Sequence, residues 1–173
     1  LSKNNKAKGK IRKGALMGIL DIWHPDILEF ITAKQVEGRL SKFNISVNCT
    51  NKFMSKLIAV LDGSDKEDAW DLIFPETSHP QYKTDWDGNI AHWQDKGYPV
   101  KTYETVKITE LWNTITKSTY NRNDPGIIFL DRAQELNPFG YGDWIVASNP
   151  CFGENTLIAT ADGRNAVSIK QLA

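Results

Sequence analysis

Two apolar runs separated by one amphipathic helix constrain this chain more than any other feature. GALMGILDIW is apolar and bounded by a glycine, and HPDILEFITAKQV follows with Ile27, Leu28, Phe30 and Ile31 on one helical face. Pro25 suits the first turn of that helix, and Asp26 and Glu29 lie near its positive end. KFNISVN then reads as a strand, and Thr50 is placed to cap a second helix carrying Phe53, Met54, Leu57, Ile58 and Leu61. Alternating strands and helices, with β-branched buried strands, specify an α/β domain built around a parallel sheet or barrel.

With 173 residues, 40% of them hydrophobic, the chain can bury one sizeable core. Lys+Arg and Asp+Glu balance at 21 each, which gives no charge argument for nucleic acid or an anionic membrane as partner. No stretch has the length of a membrane span and no leader pattern is present, so a cytoplasmic protein is expected. Cys49 and Cys151 are too few for a disulfide scaffold. The first residue is Leu and the last segment, SIKQLA, is patterned, so both ends read as cuts through something longer.

From about residue 63 to 99 the composition turns polar, with Trp70, Trp86 and Trp93 as isolated anchors, and a surface insertion is expected. ITELWNTITKSTY places Leu111, Trp112 and Ile115 on one side of a helix opening near Thr109. DPGIIFLD turns at Pro125 and Gly126 into a buried strand, and GDWIVAS supplies another. After Cys151, NTLIATADGRNAVSIKQL reads as a strand, a turn at Asp162 and Gly163, a second strand and a helix start.

Four segments, IRKGALMGILDIWHPDILEFITAKQ, RLSKFNISVNCTNKFM, STYNRNDPGIIFLDRAQELNPF and ASNPC, resemble in order the large catalytic subunit of ribonucleotide reductases. The resemblance runs from about Lys6 to Pro150 and implies a segment of a ten-stranded α/β barrel. GDWIVAS would be the last strand before a finger loop, with NPC at its tip. The family's chemistry removes a ribose 2′-hydroxyl through a radical at the 3′-carbon. A cysteine suits it because an S–H bond is close in strength to that C–H bond, so a thiyl radical abstracts the hydrogen reversibly. The resemblance gives Asn149 a hydrogen bond to the ribose and places a general-base glutamate two residues after the cysteine. Pro before the cysteine points to the adenosylcobalamin-dependent class, with a diiron and tyrosyl radical from a separate small subunit as the alternative.

The basic run SKNNKAKGKIRK is ordinarily a solvated, mobile segment. It also resembles the family's loop between the allosteric nucleotide and the substrate base, with Arg12 and Lys13 as candidate contacts. The family further implies a ribonucleotide substrate, a dNTP or ATP effector, a thioredoxin-like reductant and a homodimer when complete. Cys49 matches neither cysteine of the family's redox pair and reads as a buried structural thiol. His24 reads as a structural contact, and His79 and His92 as surface residues of the insertion.

At Cys151 the pattern changes. Phe152 stands where the family has Gly-Glu, and residues 151–173 resemble the start of an intein: a first-residue Cys, Thr156 and Ile158, a hairpin at Gly163, then apolar positions to Ile169 and Leu172. The chain then divides into a reductase segment, 1–150, and a truncated splicing domain, 151–173, whose partners are the remaining intein and the C-terminal reductase segment. Cys151 would attack the carbonyl of Pro150, the scissile acyl side. In the alternative the finger loop is uninterrupted, with Cys151 the radical cysteine and Glu154 the base; a further alternative is a non-catalytic nucleotide-binding α/β module. No metal site is expected.

Overall fold

The computed structural model describes residues 6–7, 10–11, 16–35, 43–140, 144–147, 157–158 and 167–168. The basic N-terminal run forms two short antiparallel strands, β1 (Lys6–Ala7) and β2 (Lys10–Ile11). The apolar run that follows becomes β3 (Leu16–Asp21), then helix α1 (Ile27–Thr32), strand β4 (Phe43–Asn48) and helix α2 (Asn51–Leu61). β3 and β4 pair in parallel, as the strand–helix–strand order requires.

Local chemistry sets the helix ends. α1 is shorter than its apolar pattern suggests: it starts at Ile27, so Pro25 precedes the N-cap Asp26, and it stops at Thr32. The Thr32 hydroxyl donates to the carbonyl of Leu28 at 2.9 Å. Thr50 caps α2 as expected, its Oγ1 accepting the Phe53 N–H at 3.2 Å. The inward face of α2 is narrower than expected, with Phe53 and Leu57 buried but Ile58 and Leu61 more than half exposed.

The polar stretch is not a loop hung on three tryptophans. It contains strand β5 (Trp70–Pro75), helices α3 (Tyr82–Asp85) and α4 (Ile90–Asp95), and its return strand β6 (Val100–Val106), which pairs antiparallel with β5. Trp70 and Leu72 are buried in the main core, because the base of this hairpin lies against the α/β layer. Its far end has its own aromatic cluster, in which Trp93 is 1% exposed and Trp86 and Tyr98 pack against it at 6.0 and 4.7 Å between ring centroids. His79 belongs to that cluster, 5.5 Å from Trp93 and 4.9 Å from Tyr98, rather than to the surface.

Helix α5 (Ile108–Arg122) buries Ile108, Leu111, Ile115 and Ser118. Thr109 does not cap it; the Asp68 carboxylate accepts both the Thr109 N–H at 3.0 Å and its hydroxyl at 2.6 Å. Strand β7 (Gly126–Ile128) follows and pairs in parallel with β4, giving the sheet order β3-β4-β7, and α6 (Leu130–Glu135) comes next. Leu20, Val47 and Ile127 meet the core formed with α1, α2 and α5. Each aliphatic side chain so buried contributes about 1.5–3 kcal/mol. Gly126 leaves room for the Ser46 hydroxyl, since a Cβ there would lie 2.8 Å from Ser46 Oγ and would oblige it to turn away.

Residues 144–147 are not a strand, contrary to the reading of GDWIVAS; Trp144 and Val146 are exposed, and no strand among the described residues pairs with them. Strands β8 (Leu157–Ile158) and β9 (Val167–Ser168) form a short antiparallel pair, and the turn assigned to Asp162 and Gly163 lies outside the described residues. None of the described helices is long and apolar enough to cross a membrane.

Candidate active site

The carboxyl ends of parallel strands are where an α/β sheet leaves its crevice, because connections diverge there and expose strand-end side chains. Here β3 ends in Asp21 and β4 in Asn48, which are register partners and so project from the same side of the sheet. Both open onto a cavity of about 1370 Å³, closed on the other sides by Trp70, α4, α6 and residues 144–146.

A chain of side-chain hydrogen bonds ties the floor of this cavity together. Asn48 Nδ2 donates to Asp21 Oδ1 at 2.6 Å, and Asn48 Oδ1 accepts the Leu130 N–H at 3.1 Å. One buried amide therefore fastens β3 to the start of α6 across β4. Asp131 Oδ2 accepts the Asn51 N–H at 2.7 Å, satisfying a free donor in the first turn of α2, and Asn51 Nδ2 donates to Glu135 Oε1 at 2.8 Å. Burial pushes the Asp21 carboxyl above the usual carboxylate range; the Asn48 hydrogen bond opposes that, and the nearby Asp131 carboxylate adds to it.

The aromatic side of the cavity is fixed by Trp70, whose Nε1 donates to the Ile22 carbonyl at 3.1 Å and whose ring meets Phe53 edge-on at 5.0 Å. At the mouth, His92 Nδ1 lies 2.8 Å from Asp87 Oδ2, and the His92 ring packs against Trp144 at 5.2 Å. Gln134 Oε1 accepts the Ile145 N–H at 2.9 Å. Carboxylates predominate on these walls, with Asp21, Asp87, Asp131 and Glu135 facing Lys52 and Lys56. Lys56 is itself shared with Asp65 and Glu67, at 3.8 and 3.5 Å. The described wall thus suits polar, hydrogen-bonding ligand groups better than phosphate.

Arg12, Lys13, Asn149, Pro150, Cys151 and Glu154 lie outside the described residues. The structure carries the chain to Ala147, two residues before Asn149, at the edge of the cavity. Cys49 is 1% exposed and burial pushes its thiol up to about 12, as befits a structural thiol. His24 is also structural: its Nδ1 accepts the Asp26 N–H at 3.1 Å, and its ring meets Phe74 edge-on at 5.3 Å. The sequence reading missed Asp21, Asn48, Asp131, Gln134 and the place of His92. For Asp21 a signal existed, since it is the polar residue ending the apolar strand LMGILD. No group of three or more His, Cys, Asp or Glu side chains among the described residues is arranged to hold a metal ion.

This architecture, a parallel sheet whose strand ends open onto a polar cavity, has a family. The model of the ribonucleotide reductase barrel domain matches residues 2–163, and the chain belongs to that family. It is similar to the vitamin B12-dependent ribonucleoside-diphosphate reductase of Thermoplasma acidophilum, 36% identical over 152 residues, covering 87% of this chain and 16% of that protein. The protein of the same name from Mycobacterium tuberculosis strain CDC 1551 is 30% identical over 151 residues, covering 87% of this chain and 18% of its own length. The ribonucleoside-diphosphate reductase subunit alpha of Helicobacter pylori strain J99 is 27% identical over 148 residues, covering 81% of this chain and 18% of that protein. The chain thus spans less than a fifth of these relatives.

Proposed function

We propose that the chain is the part of a ribonucleoside-diphosphate reductase that builds one side of the substrate cavity and leads into the radical-cysteine loop. The whole protein would make deoxyribonucleotides, with adenosylcobalamin as cofactor, a nucleoside triphosphate effector and a thioredoxin-like reductant. The observation that carries this reading is the 36% identity to a B12-dependent diphosphate reductase along 87% of the chain. Asn149 would hydrogen-bond the ribose, and Arg12 and Lys13 would contact the base or phosphates. Placing the phosphate contacts there accords with the acidic wall made by Asp21, Asp131 and Glu135.

In the reaction a cysteine thiyl radical takes the hydrogen atom from the ribose 3′-carbon, forming S–H and leaving a carbon radical. The 2′-hydroxyl then departs as water after protonation. A cysteine pair elsewhere in the protein is oxidised to a disulfide as its two electrons and two protons go into replacing that hydroxyl by hydrogen at the 2′-carbon. The S–H returns its hydrogen atom to the 3′-carbon, restoring the thiyl radical. Adenosylcobalamin, when bound, supplies radical generation. The described polar groups of the cavity form no set dedicated to a corrinoid, since Asn48, Asn51 and His92 are engaged with Asp21, Glu135 and Asp87.

We further propose that an intein begins at Cys151. Its sulfur would attack the Pro150 carbonyl carbon, the peptide C–N bond would break, and the nitrogen would become the free amine of Cys151, leaving a thioester. The Cys-Phe junction and the turn-bearing sequence after it support this. A specific observation favours the second reading, an uninterrupted loop with Glu154 as base: the family match continues past Cys151 to residue 163. Expressing the complete reading frame and weighing its products separates the two. An excised insert together with a joined host in which Asn-Pro-Cys-Gly-Glu is restored supports the intein; one uncut polypeptide that reduces nucleotides with cobalamin overturns it. Loss of cobalamin-dependent reduction in both forms overturns the reductase reading.

A further inference from the structure

The segment that leads to Asn149 and Cys151 does not hang free of the fold. Two helices, α6 and α4, meet it at the cavity mouth. From α6, Gln134 Oε1 accepts the Ile145 N–H at 2.9 Å. From α4, the His92 ring packs edge-on against Trp144, 5.2 Å between centroids at 64°. His92 is itself oriented by Asp87 Oδ2 at 2.8 Å from Nδ1. The turn bearing Asp87 is tied to α4 through Asn89, whose side chain accepts the Ala91 and His92 N–H groups at 2.9 and 3.3 Å, and whose own N–H donates to Asp87 at 2.9 Å.

Among the described residues, 144–147 have no strand neighbour to hold their backbone by a ladder of sheet hydrogen bonds. Gln134 provides the acceptor such a ladder would have provided, and His92 provides the ring contact that sets the tilt of Trp144. We infer that Gln134 and the Asp87–His92 pair are positioning residues for the reductase reaction: they form a shelf that fixes residues 144–147 and thereby the placement of Asn149 and the cysteine after it. This rests on the reading of residues 147–151 as the finger loop. It also gives the α3–α4 insertion a part in the chemistry, through a contact with the segment rather than with substrate.

The test uses the complete protein and two readouts, backbone hydrogen exchange of the peptide containing residues 144–147 and the kinetics of ribonucleoside diphosphate reduction. Gln134→Leu removes the acceptor, His92→Leu removes the oriented ring from a different element, and Gln134→Glu keeps an oxygen acceptor. Exchange in the peptide rises about tenfold in Gln134→Leu, the size of one lost hydrogen bond, and rises also in His92→Leu, where the ring contact with Trp144 is lost. The kcat falls about tenfold or more while KM is nearly kept, because the reacting groups are misplaced rather than the substrate unbound. Gln134→Glu retains most of both properties. Unchanged exchange in both Leu variants overturns the shelf, and faster exchange with unchanged kcat overturns its part in the reaction. Asn149→Ala tests the finger-loop reading separately: undiminished turnover sinks that reading, while the exchange data still decide whether residues 144–147 sit on Gln134 and His92.

Discussion

Asn48 donates its side-chain N–H to the Asp21 carboxylate across 2.6 Å, joining the carboxyl ends of two neighbouring parallel strands. Asn48 is 5% exposed, and its carbonyl oxygen is also taken, by the Leu130 N–H. Asn48→Leu therefore leaves a carboxylate and a backbone donor without their partner at once. Removing one partner of a buried hydrogen bond costs about 1–3 kcal/mol, more when the other is charged. A lowered midpoint in thermal or urea unfolding of the variant is the expected result, and an unchanged midpoint refutes the clamp.

Asp21 also gives stability a pH dependence. Its folded pKa is raised above the ordinary value of 3.8, chiefly by burial. The folded state then binds the proton more tightly than the unfolded chain, so stability falls as pH climbs from about 3.8 through the folded pKa. Asp21→Asn removes the titration and keeps an acceptor for Asn48. Its melting temperature loses that part of the decline, and curves for variant and parent that stay parallel between pH 3.5 and 7, roughly the span over which carboxyl groups titrate, contradict the assignment.

Cys49 is protected twice, by burial at 1% exposure and by a thiol pushed up to about 12. Only the thiolate alkylates at a useful rate. Iodoacetamide at pH 8, a mildly basic condition where an ordinary free thiol is partly ionised, leaves the Cys49 peptide unmodified in the native protein and labels it readily in denaturant. Mass spectrometry of the peptide gives the answer directly, and prompt native labelling argues against the packing described.

Lys34 Nζ lies 2.6 Å from Asp124 Oδ2, and also donates to the Phe43 carbonyl at 2.9 Å. It links the residues just after α1 to the start of β4 and to the turn before β7. Both side chains are largely covered, at 13% and 19% exposure, so Lys34→Met strands a poorly hydrated carboxylate. The expected cost is about 2–4 kcal/mol, toward the lower end of the range for breaking a buried pair. Lys34→Met with Asp124→Leu recovers part of it, and a double variant as unstable as the single one would show that the loss lies elsewhere.

The parallel sheet was legible because β3 is an apolar run, β4 alternates Phe43, Ile45 and Val47 with polar residues, and the α1 pattern lies between them. Thr50 was legible as a cap because capping is local. What escaped the sequence reading depends on partners far along the chain. Asp68 closes the start of α5 through Thr109, 41 residues away, and nothing near Thr109 announces it. Strand β5 escaped because residues 63–99 were expected as a surface insertion on their polar composition, and because Trp70 packs into a core assembled by other elements. The reverse error occurred at GDWIVAS, where an apolar run was taken for a strand although residues 144–147 pair with no edge among the described residues. Of the candidate site, Asp21 was visible as the polar end of an apolar strand, whereas Gln134 and His92 acquire meaning only through Ile145 and Trp144.

The hairpin formed by β5 and β6 is fastened along its length: Trp70 and Leu72 enter the main core, the Ile73 N–H donates to the Trp23 carbonyl at 2.8 Å, and the Phe74 ring meets His24 at 5.3 Å. Mechanically it is a strut rather than a lever. Ile90 of α4 joins the same core, so the helix that carries His92, and with it the ring against Trp144, is braced by the α/β layer itself.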